Sequence, residues 1–190
     1  MLLITSNTPM SNKQEIMEYN KEFVASKSYG PFVTDIRPRR KLAILTCMDT
    51  RLALLLPAAL GLKKGDANII RNAGAVIPDM FGTTMRSLLI SVYLLGAEEI
   101  FVIGHKGCGV EGMDSSKFVD NMVAAGITRD EIDFVERCGI SIEDWLKGFD
   151  HVCGSVRETV KRIRNHPLLP ASVGVEGFVI DPLTGELEEV

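Results

Sequence analysis

Short apolar runs alternate with longer stretches of helical pattern along this chain. The runs are uninterrupted, as is typical of strands covered on both faces of a sheet. They lie at residues 42–46, 67–70, 100–103 and 173–180. Helical patterns separate them at residues 52–60, 82–95 and 115–165, the last in pieces broken at Gly126, Gly139 and Gly148. This alternation predicts an α/β fold with a central, mostly parallel sheet of four strands flanked by helices, and residues 187–190 can add a fifth strand at the edge.

A polar segment precedes the first predicted strand. Ile16, Tyr19 and Phe23 recur near helical spacing within residues 12–28, which predicts a helix. Ser11 and Gln14 fit a capping box at its start. With 190 residues, we expect a single domain over residues 1–190, of which residues 1–30 form an N-terminal helical arm.

Composition and charge exclude several classes of protein. Hydrophobic residues make up 46% of the chain and charged residues 24%, which excludes a disordered chain. The net charge of −4 lacks the basic character of a nucleic-acid binder. No apolar run approaches the ~20 residues of a membrane span, and the opening residues 1–7 lack the basic start of a signal peptide. We therefore expect a soluble cytoplasmic protein with reduced cysteines.

Two loops that directly follow predicted strands carry metal-binding residue types. Cys47 follows the strand at 42–46, and His105 and Cys108 follow the strand at 100–103. If these strands are neighbours in a parallel sheet, both loops open into one crevice. Two thiolates and an imidazole suit zinc, and three protein ligands leave a fourth position for water. Cys138, Cys153, His151 or His166 could still supply a further ligand through folding, although an ordinary structural role is favoured for Cys138 and Cys153 and a helix-end surface position for His166.

Asp49 and Arg51 follow the first candidate ligand at short spacing. A carboxylate two residues from Cys47 could close the metal site as its fourth ligand. Arg51 can instead hold that carboxylate by a two-pronged hydrogen bond and keep it off the metal, facing metal-bound water. An ordinary ion pair is the simpler alternative.

The paired motifs Cys47-x-Asp49-x-Arg51 and His105-x-x-Cys108 resemble those of the beta-class carbonic anhydrases, in particular the short, prokaryotic branch. The resemblance extends over Arg71–Gly74 and the final strand, from about residue 12 to the C-terminus. The chain departs from many short-branch relatives at Gly107, where they have an aspartate.

This resemblance implies an enzyme, a carbonate dehydratase with a Zn²⁺ cofactor held by Cys47, His105 and Cys108. The reaction would be reversible hydration of carbon dioxide to bicarbonate and a proton by zinc-hydroxide attack, with Asp49 and Arg51 as catalytic residues. The arm would pack on a second subunit in a homodimer, which can double to a tetramer. We expect no nucleic-acid or membrane partner.

Three points stay open at this level. Gly74 and Ala75 either line the substrate pocket through backbone groups or belong to a purely structural turn. A relative of this kind can also hydrolyse carbon disulfide or carbonyl sulfide with the same metal site. A non-catalytic zinc-binding protein would result if Asp49 were a permanent fourth ligand, but Arg51 argues against a closed site.

Overall fold

The computed structural model describes residues 10–190, so the expectation for the opening residues 1–7 lies outside the described part. The strands are β1 (Leu42–Cys47), β2 (Ala67–Asn72), β3 (Glu99–His105), β4 (Gly174–Ile180) and β5 (Leu187–Glu189). The helices are α1 (Asn12–Ala25), α2 (Leu52–Ala59), α3 (Thr83–Tyr93), α4 (Ser115–Ala124), α5 (Arg129–Arg137), α6 (Ile142–Trp145) and α7 (Val152–Arg164). Short 3-10 turns occur at Gly30–Phe32 and Ala73–Ala75.

The strands form one five-stranded sheet in the order β2-β1-β3-β4-β5. β1 to β4 pair in parallel, and β5 pairs antiparallel with β4. The predicted mostly parallel sheet is therefore confirmed, including its fifth edge strand. The chain moves from β1 to one side for β2 and returns to the other side for β3, so the topology switches between β1 and β3.

β1 lies between β2 and β3 in the sheet, and all six of its residues are buried. Successive side chains of a strand point to opposite faces. Accordingly, Leu45 packs into a cluster with residues of α3 and α7, whereas Ile44 packs into a second cluster with residues of α2. Burying side chains of this size stabilises a fold by about 1.5–3 kcal/mol each. The apolar run that predicted this strand thus reflects a sheet covered on both faces.

α7 lies unusually close to the end of β3 and the middle of β4. A Cβ atom added to Gly104 would lie 2.8 Å from methyl groups of Val152 and Val156. A Cβ atom added to Gly177 would lie 2.8 Å from another methyl group of Val156. Both contacts are shorter than ordinary packing permits, so glycine is needed at each position. This close approach fixes the end of β3, which carries His105.

The described residues up to Asp35 form a compact unit distinct from Ile36–Val190. In this unit the predicted capping box of α1 is confirmed, because the Ser11 side chain accepts from the Gln14 backbone and the Gln14 side chain accepts from the Ser11 backbone. α1 contains no buried residue. The expectation of one domain with an arm over residues 1–30 stays a prediction. Within residues 10–190, no helix combines the length and apolar character that crossing a membrane requires.

Candidate metal centre

The carboxyl ends of β1 and β3 bring three candidate metal donors together. Thr46 pairs with Ile103 across the two strands, so Cys47 and His105, the last residues of β1 and β3, lie at the same edge of the sheet. Cys108 returns to them three residues after His105. The Sγ atoms of both cysteines and a ring nitrogen of His105 lie within 4.8 Å of one another, and all three residues are buried. The predicted convergence of the two loops is thus present in the fold.

The spacing of the two sulfurs matches a shared metal ion rather than a disulfide. The Sγ atoms of Cys47 and Cys108 are 3.9 Å apart, and both cysteines are free. A disulfide would need about 2.05 Å. Two thiolates about 2.3 Å from a tetrahedral zinc would lie about 3.8 Å apart. The donor pair therefore fits zinc as it stands.

His105 presents an unpaired nitrogen to the same point. Its Nδ1 lies 3.0 Å from the carbonyl oxygen of Lys106, and because a carbonyl only accepts, Nδ1 carries the proton. Nε2 of the neutral ring then has a free lone pair, and it is buried without a hydrogen-bond partner. Buried polar atoms are nearly always satisfied, so an orphaned one calls for an explanation. A metal ion bound at Nε2 supplies it, and metal-bound histidines commonly donate their other N–H in this way.

The environment of the two thiols favours ionisation at Cys47. Burial alone raises the pKa of Cys47, but the His105 ring and the backbone N–H groups of Gly74 and Asp49 outweigh it and lower this pKa to about 7. Burial raises the pKa of Cys108, and the nearby Cys47 sulfur adds to that effect. Interaction with the Cys47 sulfur raises the pKa of His105, against the effect of burial. Cys47 is therefore the thiol that most readily offers the thiolate a metal requires.

Asp49 lies beside the three donors and is held by Arg51. Arg51 donates from Nε to Oδ1 at 3.0 Å and from Nη2 to Oδ2 at 2.7 Å, and its backbone N–H donates to Oδ1 at 2.9 Å. The side-chain bonds from Arg51 are the main reason that the pKa of Asp49 falls to about 2. Oδ2 of the same carboxylate lies 3.8 Å from Nε2 of His105. The carboxylate is thus ionised near the donors, while its oxygens are engaged by arginine.

Arg51 also joins the two donor loops. Its Nη2 donates to the carbonyl oxygen of Gly107 at 3.0 Å, and Gly107 lies between His105 and Cys108. One guanidinium therefore fixes Asp49 on the first loop relative to the backbone of the second loop. Sequence reasoning missed this contact, because a backbone carbonyl has no signature in the residue types.

Gly74 and Ala75 lie in the 3-10 turn that follows β2, and both have positive φ, +85° and +57°. The Gly74 N–H donates to Sγ of Cys47 at 3.4 Å. Asn72 closes the turn, because its side chain donates to the Val76 carbonyl and accepts from the Val76 N–H. Gly74 is thus a backbone donor to a candidate metal ligand. A role of Gly74 and Ala75 in substrate binding stays a prediction.

The remaining cysteines and histidines lie apart from this cluster. Among residues 10–190, Cys47, His105 and Cys108 are the one group of three or more such side chains close enough to share an ion. Cys138 is exposed and Cys153 is half-buried. His151 is exposed at the start of α7. None of them joins the cluster as a fourth donor.

The expectation that His166 is a surface residue is wrong. His166 follows α7 but is only 3% exposed. Its Nε2 donates to the Met80 carbonyl at 3.0 Å, its Nδ1 accepts from the Leu168 N–H at 3.2 Å, and its ring lies against Phe81. Both ring nitrogens are thus occupied in linking two segments of chain, which explains the burial.

Comparison with known proteins places this geometry in a family. The family model described as "Carbonic anhydrase" matches residues 42–187, which include all three donors. The chain belongs to the carbonic anhydrase family, in its beta class. It is accordingly an enzyme of the lyase type, a carbonate dehydratase by family.

Individual relatives cover nearly the whole chain. A Bacillus subtilis (strain 168) protein named "Putative carbonic anhydrase YvdA" is 44% identical over 181 residues, 95% of this chain and 92% of that protein. The crystal structure of beta-carbonic anhydrase isoform I from Trichomonas vaginalis is 31% identical, with a TM-score of 0.81 over 95% of this chain and 97% of that one. A carbon disulfide hydrolase from Acidithiobacillus thiooxidans is 30% identical over 190 aligned residues, 94% of this chain and 90% of that protein.

The donor set predicts a specific pattern of metal loss. We expect about one equivalent of a divalent metal ion per chain in freshly purified protein, measured by elemental analysis. Cys47→Ser and Cys108→Ser should each lose that metal, because a hydroxyl is a much poorer ligand than a thiolate. Cys138→Ser and Cys153→Ser are matched controls and should retain it. Full metal content in the first two variants would contradict the assignment.

Proposed function

We propose that this protein catalyses the reversible hydration of carbon dioxide to bicarbonate and a proton, with Zn²⁺ held by Cys47, His105 and Cys108. The observation that carries the proposal is the engagement of Asp49 by Arg51. With the carboxylate held in this way, the site has three protein donors, and three donors are typical of a catalytic zinc site. Family membership supports the same reaction.

Zinc, when bound, supplies the Lewis acidity that makes water a nucleophile near neutral pH. The chain's own residues then position the attacking water and keep bulk water away from the ligands. Asp49, ionised and 3.8 Å from the His105 ring nitrogen, can accept a hydrogen bond from the attacking water and orient it. Arg51 prevents that carboxylate from turning to the metal. Burial of the three donors keeps bulk water from displacing the ligands.

The direct test is stopped-flow measurement of carbon dioxide hydration by the zinc-loaded protein. We expect hydration well above the rate of buffer alone, and we expect the metal-free protein to lose it and regain it on addition of zinc. Zinc-loaded protein that hydrates carbon dioxide no faster than buffer would contradict the proposal. The same preparation assayed for sulfide release from carbon disulfide tests the second candidate, which rests on the similarity to the Acidithiobacillus thiooxidans hydrolase.

Arg51 offers a second test that separates catalysis from metal binding. Arg51→Ala should keep its metal, because all three donors remain. It should lose hydration activity by about 10–100-fold, the range typical for groups that orient a metal site, because Asp49 becomes free to take the fourth position. A crystal structure of the variant should show four protein ligands.

The control for Arg51 is another exposed arginine–aspartate pair. Arg129 donates from Nη2 to Oδ1 of Asp120 at 2.7 Å, at a distance in sequence from either donor loop. Arg129→Ala should therefore leave hydration unchanged. Full activity in Arg51→Ala would contradict the proposed role and show that the Asp49–Arg51 contact is an ordinary ion pair.

We also propose that the protein is a homodimer in which α1 packs on the second subunit. Ile16, Tyr19 and Phe23 lie on one face of α1 and line a groove of about 430 Å³, yet no residue of this helix is buried. Ile16 is 66% exposed and Tyr19 is 71% exposed. An apolar helical face of this kind is normally covered by a partner. Doubling to a tetramer and a cytoplasmic location remain predictions.

The arm predicts the effect of charge on assembly. Ile16→Asp combined with Tyr19→Asp should shift the mass measured by light scattering from dimer towards monomer, because burying two carboxylates in an apolar interface is unfavourable. Lys21→Asp, an equally drastic change at another position of the helix, should leave the dimer largely intact. A native protein that is monomeric at all concentrations would contradict the proposal.

A further inference from the structure

The Gly74 N–H is a hydrogen-bond donor to a candidate metal ligand, and its position depends on a residue distant in sequence. Gly74 donates to Cys47 Sγ at 3.4 Å from a backbone with φ of +85°. A Cβ atom added to Gly74 would lie 3.0 Å from Cε1 of Phe149. The Phe149 ring therefore lies directly against the glycine that contacts the sulfur.

Backbone hydrogen bonds join Phe149 to the loop that follows Cys108. The Gly112 N–H donates to the Phe149 carbonyl at 2.8 Å, and the Phe149 N–H donates to the Val110 carbonyl at 3.4 Å. Gly148 lies so close to the Val110 carbonyl oxygen that no other residue fits at its position. These contacts place the ring by way of the backbone that follows Cys108, so Phe149 connects the surroundings of the two sulfurs.

The outer side of this contact is open. Val76, Val110 and Phe149 line a cavity of about 380 Å³ beside α7. Truncation of the ring would join empty space to this cavity, and surrounding structure collapses only partly into such space. The next nearest heavy atoms to a Cβ added to Gly74 belong to Val110, at 3.5 Å.

We propose that Phe149 is a positioning residue of the metal centre, which holds the Gly74 N–H on Cys47 Sγ. The inference rests on the proposed metal site. An N–H donor withdraws charge from a thiolate, so losing it alters how strongly the sulfur binds its metal. Groups that act on a ligand in this way typically change metal affinity or activity by about 10–100-fold.

The hydrogen bond can be observed directly with cadmium in place of zinc. In deuterated, ¹⁵N-labelled protein loaded with ¹¹³Cd, an amide that donates to a metal-bound sulfur shows scalar coupling between its proton and the metal. We expect this coupling at Gly74 in the native protein. Phe149→Ala should abolish it and should release zinc to a chelator about tenfold faster. Phe149→Tyr keeps the contacting ring atom, so it should retain the coupling at Gly74 and the native rate of zinc release.

Phe178→Ala is the matched control. Phe178 packs against the same hydrophobic cluster as Phe149 but lies on β4 and contacts Phe101. Phe178→Ala should lower the stability of the fold while leaving the Gly74 coupling in place. Phe149→Leu replaces Phe149→Ala if the latter does not fold.

The outcomes separate this inference from the proposed function. Cadmium that binds without coupling at Gly74, or coupling that persists in Phe149→Ala or Phe149→Leu, overturns the role of Phe149 alone. If Phe178→Ala loses the Gly74 coupling and releases zinc to the same extent, the role of Phe149 is also overturned, because the effect would then be general destabilisation. Failure of the native protein to bind metal at Cys47 would overturn the metal centre and this inference together.

Discussion

The parallel pairing of β1 with β3 is the constraint on which the site depends. Because the two strands run in the same direction and the topology switches between them, their carboxyl ends meet at one edge of the sheet. Cys47 and His105 leave that edge together, and Cys108 returns to it. The result is two thiols and an imidazole in a buried space with one ring nitrogen unpaired. Such an arrangement is unfavourable without a cation and well suited to one.

Around the donors, each of the neighbouring loops contributes one orienting contact. The Lys106 carbonyl accepts from Nδ1 of His105 and so directs Nε2 to the centre. The Gly74 N–H lies on the Cys47 sulfur, and Arg51 spans from Asp49 to the Gly107 carbonyl. Three of these contacts use backbone groups, which are fixed by the fold and do not change rotamer.

The donor set alone does not decide the substrate. A relative named as a carbon disulfide hydrolase and relatives named as carbonic anhydrases are all similar to this chain over most of its length. Both chemistries involve attack on a small, linear, apolar molecule. We therefore expect discrimination between them to come from the surroundings of the three donors. In this chain those surroundings include the Asp49–Arg51 pair and the Gly74–Ala75 turn.

The sequence by itself determined the sheet, the two donor loops and the family. Apolar runs without alternation predict strands buried on both faces, and the parallel-sheet rule brings Cys47 to His105 and Cys108 provided that the strands at 42–46 and 100–103 are neighbours, which the fold shows. The tertiary structure alone decided which groups hold the donors in place, because those groups carry no signature in the sequence. The Gly107 carbonyl and the Gly74 N–H are backbone groups that every residue carries, and Phe149 reaches Gly74 across a long separation in sequence. The sequence likewise predicts that His166 is a helix-end surface residue, whereas in the structure it is buried and bonded to Met80 and Leu168. Residue types and local spacing record which side chains can do chemistry, whereas long-range packing decides which backbone atoms hold them in place.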